Sequence, residues 1–323
     1  MSRIARQSPT SPPRATRAVA CMLAGPGLLA AVLAVAGPAA ASPRAAHAAP
    51  RAPHDVRFVQ TATRSNVIEN STYINNPATN GHRHVLIFVT PNFNPNNTAG
   101  GRFNNHPIGV WYDTSRNRWA IFNEDSGNMQ LNRAFNVLVV PRATRQAFQV
   151  TASSLNTNGD SLFMNRALIN GHDRVLLQVT QLWNRTGSIG TYNQHNIGVW
   201  FDDPEWAIFN EDGGSMPQGA SFNVLVGIAG TGANFGTVLK ARSGNFSGDS
   251  VFLSNRNTNQ NSKAMVFATP DWNPGNVGGT NDDAPIGVWY DKGVSPHLWA
   301  VFNEDQSNMP LHAAFNLLIF KTR

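Results

Sequence analysis

The sequence IGVWYD at Ile108–Asp113 returns as IGVWFD at Ile197–Asp202 and as IGVWYD at Ile286–Asp291. The copies start 89 residues apart each time, and each is followed by a second motif, WAIFNED or WAVFNED. Such a regular internal period is typical of a structural unit repeated in tandem. The 323-residue chain is therefore predicted to contain one unit in triplicate.

Each repeat contains about six short runs rich in β-branched and aromatic residues, such as VLIFVT from Val85 and FNVLVV from Phe135. Asn, Gly, Pro and Asp separate the runs, which is the pattern of strands joined by turns. The sequence predicts an all-β protein with three tandem repeats of about 89 residues, each a small β-sandwich or barrel of about six strands. The predicted units are 49–141, 142–230 and 231–323.

The first 48 residues do not belong to the repeat. Basic residues such as Arg3 and Arg17 precede a stretch rich in Ala, Val and Leu, and small residues offer cleavage sites near Ala41 or Ala48. This order is typical of a secretory signal peptide. A transmembrane anchor is the alternative, but Gly and Pro interrupt the apolar stretch. We expect 1–48 to be a signal peptide and leader, and the mature protein to be secreted and extracellular with no integral membrane span.

The charge balance argues against nucleic-acid binding. The chain has 25 Lys+Arg and 19 Asp+Glu, with a net charge of +6. Five of the basic residues and none of the acidic ones precede Ala49, so the predicted mature chain has a net charge of only +1. Little positive charge is left to neutralise phosphates. The single cysteine, Cys21, lies in the leader, so cohesion of the mature chain must come from a hydrophobic core.

The segment between the two motifs of each repeat predicts a β-hairpin. Five residues separate Asp113 from Trp119, and the corresponding numbers in the other repeats are three and seven. Lengths that differ by two extend the tip without changing which residues face each other. We expect Asp113 opposite Trp119, and Gly109 opposite Asn123. This register predicts a core face of Ile108, Val110, Tyr112, Ala120 and Phe122, and an outward face of Gly109, Trp111, Asp113, Trp119, Ile121 and Asn123.

The next loop keeps its length in all three repeats. The separation from Asp125 to Phe135 is ten residues, and the same separation recurs in the other copies. A methionine lies four residues after the Asp each time: Met129, Met216 and Met309. A constant loop with an apolar centre predicts a packed loop whose methionine is plugged into the unit.

The Glu-Asp pair before this loop allows three interpretations. Asn, Asp and nearby carbonyls are hard oxygen ligands suited to Ca²⁺. Alternatively, the Asp caps the loop through backbone N–H groups while the Glu is solvated, which we favour because no EF-hand spacing is present. A glycosidase pair is disfavoured, because adjacent strand residues point to opposite faces. No zinc-like His spacing and no catalytic triad recurs. We predict no catalytic residues and no cofactor, with Ca²⁺ left open.

Tryptophan is the best indication of a binding site, since all eight Trp residues occupy repeat positions. Aromatic rings flanked by Asn and Asp are typical of sugar-binding surfaces, because a pyranose has an apolar face to stack and hydroxyls to hydrogen-bond. The alternative is structural, with the Trp covering a glycine or packing between sheets. The candidate ligand-binding residues are Trp111, Asp113, Trp119, Asn123, Trp200, Asp202, Trp206, Asn210, Trp289, Asp291, Trp299 and Asn303.

The motif order IGVW(Y/F)D, WA(I/V)FNED, Met, FN(V/L)L resembles a tandem repeat of uncharacterised secreted bacterial proteins, a domain of unknown function. The resemblance covers essentially the whole predicted mature chain. It implies a repeat class and export, and it carries no ligand, activity or catalytic residue.

Together these observations predict a secreted, non-catalytic, multivalent binding protein. Carbohydrate or another cell-surface component is the expected partner, since several weak sites on one chain gain avidity on a repetitive target. A structural envelope or matrix protein is the alternative, and a glycan hydrolase is a less favoured one. Whether the repeats are independent or form one body with pseudo-threefold symmetry is left open.

Overall fold

The computed structural model describes residues 55–98, 100–184, 189–227 and 234–321. The predicted signal peptide and leader lie outside the described residues. Apart from a three-residue 3₁₀ turn at Pro95–Asn97, the regular secondary structure in these ranges is β-strand, which confirms the predicted all-β class. The same ranges contain no helix of the length and apolarity that a membrane span requires.

Each repeat contributes seven strands. The first has β1 Val56–Thr61, β2 Val67–Ile68, β3 Ser71–Tyr73, β4 Leu86–Pro91, β5 Ile108–Asp113, β6 Arg118–Asn123 and β7 Ala134–Val140. The second has β8 Ala147–Thr151, β9 Thr157–Asn158, β10 Ser161–Met164, β11 Leu176–Leu182, β12 Ile197–Asp202, β13 Glu205–Asn210 and β14 Ser221–Gly227. The third has β15 Asn234–Lys240, β16 Phe246–Ser247, β17 Ser250–Leu253, β18 Met265–Pro270, β19 Ile286–Asp291, β20 Leu298–Asn303 and β21 Ala314–Phe320. The short strands β2, β9 and β16 account for the difference from the predicted six.

The strands of each repeat form two antiparallel sheets. In the first repeat the orders are β1-β7-β4 and β2-β3-β6-β5. The same orders recur in the second and third repeats. Apolar residues of both sheets meet in one core per repeat, so each unit is a small β-sandwich.

The hairpin of β5 and β6 has a register one residue away from the predicted one. Tyr112 pairs with Trp119, and Asp113 pairs with Arg118, because β6 begins one residue before Trp119. The equivalent pairs in the other units are Phe201–Trp206 and Tyr290–Trp299. The three hairpins therefore share one register, as the loop lengths predict, but the predicted offset is wrong.

This one-residue shift turns β6 over, because successive side chains of a strand point to opposite faces. The observed core face carries Val110, Tyr112, Trp119 and Ile121. The opposite face carries Gly109, Trp111, Ala120 and Phe122. That second face is not fully open to solvent, since Ala120 and Phe122 are 0 % and 2 % exposed.

A tryptophan fills the centre of each core. Trp119, Trp206 and Trp299 are at most 1 % exposed, and each indole N–H donates to a backbone carbonyl at 2.9–3.0 Å. The buried polar atom is therefore satisfied. The loop methionines pack into the same cores, which confirms the role predicted for the constant loop: Met129, Met216 and Met309.

Parallel strand contacts join the units and run once around the molecule. β5 of the first unit pairs with β11 of the second. Single bridges repeat this contact between Val199 and Asp271, and between Val288 and Asn92. Since the last bridge brings the third unit back to the first, the three units form a closed ring with pseudo-threefold symmetry.

An asparagine side chain reinforces each of these contacts. Asn184 accepts the N–H of Tyr112 at 2.9 Å and donates to the carbonyl of the same residue at 2.9 Å. The other two units repeat both bonds at 2.8–2.9 Å, with Asn273 on Phe201 and Asn94 on Tyr290. A side-chain amide thus takes the place of a backbone amide in strand pairing. We call Asn94, Asn184 and Asn273 the asparagine clamps.

Three buried threonines make a second set of bonds across the same boundaries. Each Oγ1 accepts a backbone N–H from a neighbouring unit at 3.0–3.1 Å: Thr180 from Val89, Thr269 from Val179 and Thr90 from Ala268. The threonines are 2–4 % exposed. Strands β4, β11 and β18 are therefore held together by side-chain hydrogen bonds as well as by packing.

Removing one clamp is expected to destabilise the whole ring. Asn184→Ala leaves the N–H and the carbonyl of Tyr112 buried without partners, which we expect to cost about 2–4 kcal/mol of unfolding free energy. Urea denaturation followed by circular dichroism measures this cost. Asn128→Ala, at an exposed loop position, is the control and should change stability by less than about 0.5 kcal/mol. Equal effects of the two substitutions would contradict the clamp.

Candidate functional site

The twelve predicted ligand-binding residues do not share one face. Half of them are inside the units and are at most 1 % exposed: Trp119, Asn123, Trp206, Asn210, Trp299 and Asn303. Asn123, for example, donates to the carbonyl of Gly127 at 2.9 Å and accepts from Asn104 at 3.1 Å, so it holds the constant loop in place. The outward position predicted for these six residues is wrong, because the register offset reverses the faces of their strand.

The candidate aspartates differ between units. Asp113 is 5 % exposed, and Ser115, Arg116 and Tyr73 all donate to its carboxylate. Burial acts to raise the pKa of Asp113, but these hydrogen bonds hold that pKa well below its usual range. With its acceptors used in this way, Asp113 is a positioning residue for Tyr73 and Arg116. The equivalent residues, Asp202 and Asp291, are less buried.

The first tryptophan of each unit is the part of the predicted set that reaches the surface. Trp111, Trp200 and Trp289 are partly exposed. Each indole N–H donates to a serine hydroxyl at 3.1–3.2 Å, and the serines are Ser71, Ser161 and Ser250. The hydrogen bond fixes the plane of a ring that solvent still reaches.

These tryptophans lie where one unit meets the next. The ring of Trp111 is 6.0 Å from that of Tyr73 in its own unit, and 5.9 Å from that of Trp183 in the second unit. Trp200 has the equivalent neighbours at 6.0 and 6.1 Å. We define three aromatic junctions by their residues. The first is Tyr73, Trp111 and Trp183, the second is Phe163, Trp200 and Trp272, and the third is the set at the equivalent positions, Phe252, Trp289 and Phe93.

The aromatic residue that enters each junction from the next unit is absent from the predicted set. Phe93, Trp183 and Trp272 each stand one residue before an asparagine clamp, in the sequences NFN, LWN and DWN. The repetition of this aromatic-Asn pair was a usable signal. The place of this aromatic residue in the structure was not predictable, because its contact depends on how the units close into a ring.

The glutamates of the Glu-Asp pairs are buried between units, which corrects the prediction that they are solvated. Glu124, Glu211 and Glu304 are 1–3 % exposed. Each accepts a backbone N–H from the following unit at 2.8–3.3 Å, and the donors are Asn193, Asp282 and Asn104. Burial raises the pKa of all three carboxyls, that of Glu304 to about 8. For Glu304, a pKa of about 8 means that the protonated acid is the favoured form at neutral pH.

The glycine of IGVW makes room for this glutamate. A Cβ atom on Gly109 would lie 2.2 Å from Oε1 of Glu124, and the equivalent distances at Gly198 and Gly287 are 2.3 and 2.2 Å. No side chain fits such a gap. Glycine at this position is therefore required by the close approach of a buried carboxyl.

The aspartates of the Glu-Asp pairs cap the constant loop. Asp125 accepts the N–H of Gly127 at 2.9 Å with one oxygen, and its other oxygen lies 2.7 Å from Nδ1 of His106. The second unit repeats both contacts, whereas the third has alanine at the histidine position. These are the contacts of the capping interpretation. Within the described ranges, no three His, Cys, Asp or Glu side chains are grouped to hold a metal ion.

A small cavity lies where the three units meet. Residues of every unit line it, among them Thr90, Thr180 and Thr269. Its volume of about 70 Å³ corresponds to roughly two water molecules at about 30 Å³ each. This cavity is too small for a sugar ring.

The fold and the junctions define a tandem-repeat, all-β protein whose three sandwiches close on one another. Residues 48–139, 109–226 and 228–319 each match the family described as Domain of unknown function (DUF7452). The matches extend over most of the chain, and the chain belongs to this family. No curated protein and no solved structure matches it. The family membership agrees with the repeat and carries no ligand or activity.

Adding a methyl group at the IGVW glycine is expected to destabilise the protein through contact with the buried carboxyl. Gly109→Ala should cost about 1–3 kcal/mol in unfolding free energy. Gly244→Ala is the matched control, because a Cβ atom at that position would have no other atom within 4 Å. In a Glu124→Ala background the cost of Gly109→Ala should fall, which a double-mutant cycle by urea denaturation measures. An unchanged cost in that background would contradict this assignment.

The buried glutamates are expected to make the protein less stable as pH rises. Unfolded glutamate titrates near 4.5, whereas Glu304 keeps its proton to about pH 8. Between these values the unfolded chain releases a proton that the folded protein retains, so unfolding free energy decreases with pH. Glu304→Gln should remove the contribution of one carboxyl to the change of unfolding free energy with pH, which is at most about 1.4 kcal/mol per pH unit. Urea denaturation at several pH values between about 5 and 8 measures both slopes, and identical slopes would contradict the prediction.

Proposed function

We propose that this protein is a non-catalytic, multivalent binding protein whose aromatic junctions recognise carbohydrate or another extracellular surface component. One observation carries the proposal: in all three units the same tryptophan is held by a serine hydroxyl and remains partly exposed at a unit boundary. A ring fixed in this way stacks on a ligand without first having to be ordered.

The chemistry of the junctions favours a sugar. At the first junction the ring planes of Trp111 and Trp183 meet at 84°, which forms an aromatic corner. The second junction has the same corner, at 82° between Trp200 and Trp272. The apolar face of a pyranose stacks on one ring of such a corner, and its edge contacts the other. At the first junction the exposed side chains of Tyr192 and Arg116 provide hydrogen-bonding groups for sugar hydroxyls.

The closed ring supports a multivalent role. Because the units are clamped to one another, the three junctions are fixed on one body instead of swinging on linkers. Several weak sites at fixed spacing bind a repetitive polymer more tightly than any one site, provided that the polymer reaches more than one of them. We further propose that the protein acts outside the cell, on the strength of the signal-peptide pattern in its first 48 residues.

A structural envelope or matrix protein is the second candidate. The observation that favours it is the edge-to-face contact of Trp111 with Trp183, because this contact also holds two units together. A glycan hydrolase has less support. Glu211 and Asp282, two carboxyls at the boundary between the second and third units, are 3 % and 5 % exposed, whereas a glycosidase pair must reach the substrate bond.

Replacing the three junction tryptophans together should abolish binding while the fold is kept. The experiment compares the wild type with Trp111→Ala/Trp200→Ala/Trp289→Ala on a glycan array and on insoluble cell-wall polysaccharides. Circular dichroism and thermal melting check the fold of the variant. Leu155→Ser, at a side chain that is 96 % exposed and belongs to no junction, is the surface control.

We expect the wild type and the Leu155→Ser control to bind at least one glycan, and the triple variant to lose at least about tenfold in affinity. Should the triple variant unfold, Ser71→Ala/Ser161→Ala/Ser250→Ala replaces it; this change keeps the rings and removes the hydrogen bonds that fix them, and it should weaken binding severalfold. A folded wild type that binds no glycan and no cell-wall material would reject the proposal.

A further inference from the structure

The three aromatic junctions share a plan but differ in extent. At the first junction, the rings of Tyr73, Trp111, Trp183 and Tyr192 form an unbroken row. Successive ring centroids are 6.0, 5.9 and 5.8 Å apart. The row crosses from the first unit to the second, and Tyr192 at its end is 42 % exposed. This junction therefore presents four neighbouring aromatic side chains, two of which carry hydroxyls.

The Tyr73 end of the row is rigidly held. The Tyr73 hydroxyl donates to Asp113 at 3.1 Å, and the guanidinium of Arg116 lies 5.2 Å from the centre of the ring. Burial, followed by the hydrogen bond to Asp113, raises the pKa of Tyr73 to about 12, so the hydroxyl stays protonated. Arg116 donates to the same carboxylate at 2.8 Å while its side chain is 51 % exposed. The guanidinium of Arg116 is thus fixed beside the ring and still faces solvent.

The second junction lacks both hydroxyls. Phe163 stands where the first junction has Tyr73, and Asn281 stands where it has Tyr192. Asn281 accepts the indole N–H of Trp272 at 2.9 Å. The equivalent N–H of Trp183 has no acceptor among the described residues. That N–H is buried and is not offered to a ligand, so the first junction differs from the second by its two tyrosine hydroxyls.

The third junction is built from phenylalanines at every position except that of Trp289: Phe252, Phe93 and Phe103. Phe93 packs against Phe103, with ring centroids 4.9 Å apart, as Trp183 packs against Tyr192 at the first junction. The third junction therefore has no tyrosine hydroxyl, and a phenyl ring stands where the first junction has the larger indole of Trp183.

We infer that the junctions are unequal, and that the row Tyr73–Trp111–Trp183–Tyr192 is the primary subsite, which binds several consecutive residues of one linear, hydroxyl-rich glycan. This inference rests on the proposed function and specifies its ligand and its dominant site. Tyrosine suits such a site because it combines a rigid apolar surface with a hydrogen-bonding group at small entropic cost. The second and third junctions then act as weaker contacts along the same polymer.

The test compares matched substitutions at equivalent positions. Trp111→Phe and Trp200→Phe make the same change at the first and second junctions. Tyr192→Asn and Tyr73→Phe give the first junction the residues of the second, and both replace partly exposed side chains. Isothermal titration calorimetry with soluble oligosaccharides of increasing length, cut from whichever polymer the array identifies, measures affinity and stoichiometry. Thermal melting confirms that each variant is folded.

We expect one tight site per chain, with an affinity that increases with oligosaccharide length until the row is filled. Trp111→Phe should weaken this site by about tenfold, whereas Trp200→Phe, at a weaker contact on the same polymer, should weaken binding by a clearly smaller factor. Tyr192→Asn should remove the gain in affinity from the longest oligosaccharides, and Tyr73→Phe should weaken binding severalfold by removing one hydroxyl.

Three identical sites per chain, or equal losses from Trp111→Phe and Trp200→Phe, would overturn the inference while leaving the proposed function intact. Affinity that does not depend on oligosaccharide length, or on Tyr192, would overturn it as well. A wild-type protein that binds no glycan in the array would reject the proposed function, and the inference with it.

Discussion

The two hydrogen bonds that one asparagine side chain makes to the backbone of the preceding unit hold the architecture together. A short parallel strand contact alone leaves backbone groups of an exposed sheet edge unpaired. The clamp supplies both a donor and an acceptor at that point, for instance from Asn184 to Tyr112. Because Asn94 of the first unit clamps Tyr290 of the third in the same way, no unit retains an open boundary of this kind. The aromatic junctions exist only because this closure brings two units side by side.

The boundaries between units are unusually polar for buried surfaces. Asparagine, threonine and glutamic acid side chains each find a backbone partner across a boundary. A buried polar group that loses its partner is costly, so units that slide or rotate relative to one another lose many bonds at once. The apolar cores stabilise each sandwich, and the polar contacts define how the sandwiches fit together. Gly109 contributes to this arrangement, because the absence of a side chain leaves room for the carboxyl of Glu124.

The sequence was most informative about what lies within a unit. Its internal period, the strand composition and the hairpin lengths predict three β-units with one shared hairpin register, and the structure agrees. The offset of that register was not predictable from loop length alone. The three loop lengths differ by two residues under any shift that all three hairpins share. That single ambiguity placed Trp119 and Asn123 on the outward face.

Contacts between units were harder to predict, for a physical reason. Asn184 and Glu124 look like turn and surface residues in sequence, since both types are usually solvated. Their burial depends on partners supplied by another repeat. A polar residue type that recurs at the same position of every repeat, such as Thr90 or Asn94, is the feature of the sequence that indicates such a partner.

The closed ring also constrains how the chain can fold. The clamp between Asn94 and Tyr290 joins residues 196 positions apart, so it cannot form until nearly the whole chain is available. Joining such distant segments costs more loop-closure entropy than joining neighbouring units, and contacts of this kind slow folding. Before this clamp forms, the strand edge of the first unit is unpaired, and the third unit of another molecule can bind there instead. The last step of folding is therefore the one at which a monomer competes with a domain-swapped assembly.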